Sequence, residues 1–556
     1  MVLSDLFSRR SIRAHITGLT VAALACTALS AAWWIVRRTV TPAVTAKIQR
    51  EVDRRLGLDL NARTSDIGTL GNVYLRQVTV SSPAPVFRVE AARAIIQPSY
   101  LALLAGRLEP RRIALEDVTI AWRTWNLHLP VVWVATGARG SSQARALRGV
   151  IEFDGGGKII LQLAVDTDGA LALQARAQDL ALDQVPELPV GHLSGVASAT
   201  LDARTTADHN SARIEVDGTI PQFALDDGRA EPIGPLLVRA HSVLDYDRRT
   251  QSLRIEDATA SLGAAGEITG HLRGGMLLTN PRNLDLDITL GPIDMEAAVA
   301  CLPLQLRPPP EAPPLAGNLR GNMHIAGPLD RLADWTVAGK LDLSDLRNRA
   351  MNAPPSQLAS SFTYNVTDAT GVEHQIVTGP ESADFVPLGE LPIFVVQAVT
   401  TSEDGGFWGH QGFDFDEIRL SLVEAAQAQG VVRGGSTISQ QLAKNLFLNR
   451  ERTLARKVRE AFVTLALESA LSKQRLLEIY FNVIEWGPGV YGIGPAARLY
   501  FGKDARQLNL EQAAFLASII PNPSRYGTQL EDGEVSEIWA PRVAQVLAKM
   551  NGAITP

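Results

Sequence analysis

The sequence predicts a multidomain chain with an N-terminal transmembrane helix, an elongated mainly-β middle region and a mainly-α C-terminal domain. Three observations predict it. Residues 16–36 carry no charge, much of residues 40–375 alternates with a period of two, and the pattern turns helical after Pro392. The chain has 556 residues, 46 % hydrophobic and 20 % charged, enough for roughly two to four cores. Its net charge of −6 argues against nucleic acid as a partner of the whole chain.

The uncharged run 16–36 is long enough to cross a bilayer as a helix. Arg9, Arg10 and Arg13 precede it, and Trp33 and Trp34 sit at its far end, where an aromatic belt lies. Residues 1–15 then form a cytoplasmic tail, and everything after residue 38 lies outside. A cleaved signal peptide is the rival reading, but Arg37 and Arg38 make poor cleavage context. Cys26 lies in this run and Cys301 far downstream, which argues against a disulfide and against a cysteine metal site.

Residues 41–58 suggest an amphipathic helix. Beyond it, Val73–Val80, Ile159–Val165, Leu171–Ala175 and Leu286–Leu290 read as half-buried strands. Asp166–Gly169 joins two of them as a hairpin loop. Gly191–Gly195 and Gly317–Gly321 form a loose internal echo, and Pro308–Pro314 breaks the region. The cadence from Gln97 to Leu115 resembles AsmA-like envelope proteins, which implies a scaffold or lipid-guiding role for residues 40–375.

In the C-terminal part, Asp414 with Glu417 and Asn509 with Gln512 have capping-box spacing. Residues 453–471 have helical spacing, with Val458, Phe462, Leu465 and Ser469 on one stripe, and residues 473–485 form a further helix. Glu403 sits beside Asp404 and a glycine pair, outside any clear helix, while Glu460 lies on a helix. Two acids on different elements can face one cleft and divide proton transfer and charge balance between them. The competing reading makes Glu460 a surface acid paired with Arg456 at i,i+4. Gly434-Gly435-Ser436-Thr437 offers N–H groups and hydroxyls, and Gln440, Gln441, Lys444 and Asn445 follow at helical spacing, a set suited to sugar hydroxyls or phosphates. The Gly-Lys-Ser/Thr ending of a P-loop is lacking. Residues 444–475 are locally basic, which fits phosphates or anionic lipid heads.

Residues 395–526 resemble the peptidoglycan glycosyltransferase domain of class A penicillin-binding proteins and monofunctional transglycosylases (family 51). The matching residues are Glu403-Asp404 with Phe407, His410 and Gly412, then Gly434–Asn445, Arg456-Lys457 and Glu460. Ser472-Lys473, Glu478 with Tyr480 and Asn482, Gly492, Tyr500–Lys503, and Pro521 with Pro523-Ser524 follow in order. The resemblance implies a lysozyme-like glycosyltransferase domain over 380–535, followed by a C-terminal helix and tail over 536–556. It implies polymerisation of lipid II into β-1,4 glycan at a bacterial inner membrane, the bulk of the single-pass chain being periplasmic, with cell-wall synthesis proteins as further partners.

The same resemblance makes Glu403 the general base and Glu460 the second essential acid near the donor's diphosphate. Lys444, Arg456 and Lys457 would stabilise that diphosphate. Thr437, Gln441 and Asn445 would line the donor site, with Asp404, Phe407, His410 and Ser436 as further substrate-binding residues. No metal site and no required cofactor are expected. A divalent cation (Mg or Mn) at the substrate diphosphate is compatible with Glu403, Asp404 and Glu460 as oxygen ligands, although no fixed-spacing cage is visible. No transpeptidase motif set follows, so glycan synthesis without cross-linking is expected. A lysozyme-like muramidase and a lipid-handling scaffold with an inert terminal domain are the alternatives.

Overall fold

The computed structural model describes residues 38–554 except 39, 55–57, 69–70, 82–86, 100–109, 123–124, 137–144, 154–155, 167, 185–190, 280, 353–356, 368–372, 428–434, 450, 452 and 532–533. The apolar run 16–36, Gly434 and most of the stretch that resembles AsmA-like proteins lie outside these residues. Among the described residues, no helix is long and apolar enough to cross a membrane.

The chain forms two compact units. The first comprises residues up to Ala181 together with Ser198–His209, and the second holds Leu182–Ala197 and Asn210–Pro556. In the first unit, helix α1 (residues 40–54) precedes eight strands. They are β1 (Asp59–Ile67), β2 (Val73–Ser81), β3 (Phe87–Pro98), β4 (Pro110–Trp122), β5 (Trp125–Thr136), β6 (Arg145–Glu152), β7 (Lys158–Val165) and β8 (Leu171–Ala181). Each pairs antiparallel with the next. The expected hairpin joins β7 to β8, closed by Asp166 N–H to Ala170 O at 2.8 Å. Ile48 of α1, flanked by Val44 and Val52, packs with Leu75, Val118 and Leu129. These three helix positions are four apart, so they share one face.

In the second unit, β9 (His192–Ser194) pairs with β11 (Ser211–Asp226), while most of β10 (Val196–Thr205) belongs to the first unit. From β11 an antiparallel meander runs through β12 (Ile233–Asp247), β13 (Ser252–Leu262), β14 (Ile268–Leu277), β15 (Asn283–Asp294), β16 (Asn318–Pro328) and β17 (Thr336–Asp342). Helix α2 (Met295–Cys301) follows β15, and α3 (Ser344–Met351) follows β17. The hairpin β18 (Phe362–Thr367) and β19 (Glu373–Thr378) leads into the helical part.

That part contains α4 (Ile393–Glu403), α5 (Phe415–Gln427), α6 (Ile438–Phe447), α7 (Leu454–Ala470), α8 (Lys473–Val483), α9 (Ile493–Phe501), α10 (Leu510–Ile519), α11 (Pro523–Tyr526) and α12 (Ala540–Ile554). Its core gathers Phe407, Tyr480, Phe481, Trp486 and Phe515 with the buried run Ala513–Ile519 of α10. Asn509 and Gln512 form the expected capping box, and Asp414 Oδ1 accepts from the N–H groups of Asp416 and Glu417 at the start of α5. Glu403 differs from expectation. It is the last residue of α4 rather than part of a loop, because the helix runs until Gly405-Gly406 ends it.

The β layer of the second unit docks on α7. Ala455, Val458 and Phe462 meet Ile233, Leu236, Leu302 and Leu306, and Leu465 and Ala466 join Ile293, Met295, Leu319, Leu343 and Leu346. This is the apolar stripe expected from the sequence. Polar contacts frame it. Leu454 N–H donates to Asp227 Oδ2 at 3.0 Å, Leu343 N–H to Gln411 Oε1 at 3.3 Å, and Arg347 Nε to Glu468 O at 3.2 Å. The Leu454 N–H also holds the Asp227 carboxyl below its ordinary pKa. Truncating the fully buried Leu346 to alanine is expected to lower the unfolding free energy by about 2–5 kcal/mol. Urea titration followed by circular dichroism should show that loss.

Candidate active site

The site is built from the C-terminal end of α4, the N-terminal half of α6, the first two turns of α7 and the middle of α8. The block at Glu478–Asn482 aims the first of these. Glu478 Oε1 accepts from Leu388 N–H, and Asn482 accepts from Val386 N–H and donates to Val386 O, both at 2.9 Å. The segment entering α4 is thereby tied to α8.

Glu403 Oε2 accepts a hydrogen bond from Gln441 Nε2 at 3.0 Å, and the same nitrogen lies 3.5 Å from Ser436 O. Ser436 Oγ accepts from Lys457 Nζ at 3.2 Å. Lys457 Nζ also donates to Glu460 Oε1, and Arg456 Nη1 donates to Glu460 Oε2 at 2.6 Å. The two acids thus belong to one continuous polar wall, with Gln441 and Ser436 between them. Glu460 is 2 % exposed, which overturns its reading as a surface acid. Both its oxygens are occupied by cations, so it acts as a fixed counter-charge that holds Arg456 and Lys457 in place. Two cations and one carboxylate leave a local charge of +1, suited to an anionic group. Lys457 is 46 % exposed and meets solvent on this wall. Lys444 is exposed and Asn445 half-buried in the last turns of α6.

Four residues expected at the substrate are engaged within the fold. Phe407 has no exposed surface, and its ring lies under Lys473 Nζ at 4.4 Å. Asp404, 4 % exposed, accepts from His410 Nε2 at 2.9 Å and from Ile438 N–H at 2.9 Å, where it faces the positive end of α6. His410 Nδ1 accepts from Gly412 N–H, so both ring nitrogens are committed. Buried Thr437 caps α6 through Gln440 N–H and donates to Gly412 O at 2.7 Å. These four residues hold the walls in place. Gly435 is needed for a close approach, since a Cβ there would lie 2.8 Å from Glu417 O.

The oxygens considered for a cation are already engaged. Glu460 is bound by two cations and Asp404 by two N–H donors. Asp404, His410 and Asp414 lie within reach of one another, but their hydrogen bonds point within the protein. Two residues bonded into this site were given no role there in the sequence reading. Glu468, two turns after Glu460 on the same helix, is buried and accepts from Lys473 Nζ at 2.6 Å and Ser439 Oγ at 2.5 Å. Its helical spacing from Glu460 was the available signal. Tyr480 O–H donates to Gln441 Oε1 at 2.8 Å, across 39 residues of sequence, and no local pattern reveals that.

Comparison with known proteins matches residues 371–551 to the transglycosylase family model. The chain is 42 % identical over 172 residues to a biosynthetic peptidoglycan transglycosylase of Nitrosospira multiformis, covering 31 % of this chain and 73 % of that protein. The chain belongs to the transglycosylase family. A transglycosylase of the same description from Nitrosomonas eutropha is 55 % identical over 144 residues, 26 % of this chain, which spans 59 % of that relative. Penicillin-binding protein 1A of Aquifex aeolicus is 40 % identical over 179 residues, 32 % of this chain and 24 % of that protein. The matched transglycosylase domain includes α4 to α8 and therefore the whole polar wall.

The different placements of the neighbouring acids give a test. Asp404→Asn puts an amide where two N–H donors need acceptors and is expected to cost about 1–3 kcal/mol of stability. Glu403→Gln is expected to leave the melting temperature close to that of the parent. Differential scanning calorimetry of the two variants measures the contrast.

Proposed function

We propose that this protein is a peptidoglycan glycosyltransferase that polymerises lipid II. The observation that carries the proposal is the continuous wall from Glu403 through Gln441 and Ser436 to the cationic trio Arg456, Lys457 and Glu460.

In the reaction, the 4-hydroxyl oxygen of the acceptor sugar attacks C1 of the donor MurNAc. The C1–O bond to the diphosphate breaks, the hydroxyl proton passes to Glu403, and the polyprenyl diphosphate departs with the bonding electrons. Attack opposite the leaving group turns an α-linked donor into a β-1,4 glycan. A sugar hydroxyl is a weak nucleophile, so a carboxylate beside it lowers the barrier. The leaving diphosphate gathers negative charge in the transition state, and cations already fixed in place by Glu460 stabilise it without reorganising. Lys444 extends the same positive field, and Asn445 supplies an amide for sugar or phosphate oxygens. In this reading Lys and Arg side chains handle the charge. The uncharged run 16–36 would tether the chain to the inner membrane with its bulk in the periplasm, where a lipid-borne donor is presented.

A muramidase would cleave glycan and gain nothing from a cationic trio beside its acid. Incubation of the purified chain with labelled lipid II decides between them. Long glycan is expected from the parent, and roughly a 100-fold or greater loss from Glu403→Gln. Soluble disaccharide fragments would favour the muramidase, and an inactive folded parent would favour the scaffold.

A further inference from the structure

Gln441 is a neutral group that touches the base. Its amide has a donor end and an acceptor end, and the two ends of the site make opposite demands on it. Glu403 Oε2 takes the Nε2 end at 3.0 Å, and the Tyr480 hydroxyl donates to the Oε1 end at 2.8 Å. Tyr480 is fully buried, at the centre of α8 and within the helical core. Rotating the amide by half a turn would set a carbonyl oxygen against the carboxylate of Glu403. The same rotation would leave the buried Tyr480 O–H without this acceptor. Each end therefore enforces the other.

We propose that Tyr480 is a positioning residue for the base: through Gln441 it aims an N–H donor at Glu403 and keeps that carboxylate ionised between turnovers. The proposal rests on the reading of Glu403 as base. The other charged and titratable groups of this wall are Asp404, His410, Arg456, Lys457, Glu460 and Lys444. Asp404 faces His410 and the start of α6, and Arg456 and Lys457 face Glu460. Lys444 lies in the last turn of α6. Tyr480 itself stays protonated, because burial, and then the carboxylates of Glu403 and Asp404, push its hydroxyl well above its ordinary pKa. It can therefore donate at every pH at which the protein works, and it transfers no proton of its own.

The sign of the effect follows. An N–H donor favours the charged carboxylate, so the base titrates lower with the amide held than with it loose. Removing the Tyr480 hydroxyl frees the amide to turn, and the base then needs a higher pH to ionise.

The test compares the full-length parent with Tyr480→Phe. Carbon-13 NMR of glutamate Cδ reads the Glu403 titration directly, its signal identified by its loss in Glu403→Gln. The midpoint is expected to rise by about 1 in Tyr480→Phe, the size expected for losing one hydrogen bond to a charged group. With lipid II, kcat is expected to fall roughly tenfold, KM to change less than about twofold, and the acidic limb of the pH profile to move to higher pH. A merely structural tyrosine would leave the midpoint and the limb in place. Where Tyr480→Phe does not fold, Gln441→Met removes the same donor and carries the same expectation. In the background of Gln441→Met, the further change Tyr480→Phe is expected to cost no more turnover. An unmoved midpoint in a folded variant of an active parent overturns the proposal and leaves the glycosyltransferase reading standing. A parent that makes no glycan overturns both, since there is then no base to position.

Discussion

Glu460 is a carboxylate taken almost wholly out of water, and the site is arranged around pairing it. Burying such a group alone is prohibitive, so its two oxygens are filled by Arg456 and Lys457 from its own helix. The consequence reaches further than charge balance. A cation held by a buried partner has a fixed position, and a fixed cation can stabilise a departing diphosphate without first paying to organise itself. Lys457 then carries the order outward, through Ser436 to Gln441 and Glu403. Glu460 is thus the anchor from which the cations, and through them the wall, are placed.

The parts of this arrangement legible in the sequence are those whose causes are local. The span of α7 follows from apolar spacing at Val458, Phe462 and Leu465, and its start follows from Thr453, whose side chain accepts from Arg456 N–H. The capping box at Asn509 and Gln512, and the Asp414 cap, involve residues within three positions of each other. What stayed hidden depends on pairs far apart in the chain. The glycines at 405 and 406 suggested a loop around Glu403, whereas they only end the helix that carries it. Phe407, Asp404 and Thr437 sit in polar, loop-like sequence, and only the three-dimensional core shows that their partners are Lys473, Ile438 and Gly412. The Tyr480–Gln441 bond joins α8 to α6 and has no periodic signature.

The β region shows the same division. Strand alternation is visible in the sequence, and so is the change of pattern near Pro392. The compact units, however, do not divide there. Asn210–Met351 belongs with the helical part because the apolar stripe of α7 is buried against Ile233, Leu236, Leu302, Leu343 and Leu346. A stripe on a helix says that something covers it, not what.

That burial gives α7 two working faces. One is apolar and locked to the β layer, its first turn held by Asp227 and its last by Arg347. The other bears Arg456, Lys457 and Glu460. A helix held on one side by packing cannot roll without breaking it, and a roll of one residue would carry the cations away from Ser436. In this chain the β layer is part of what orients Arg456 and Lys457, because it supplies the surface that fixes the helix on which they stand.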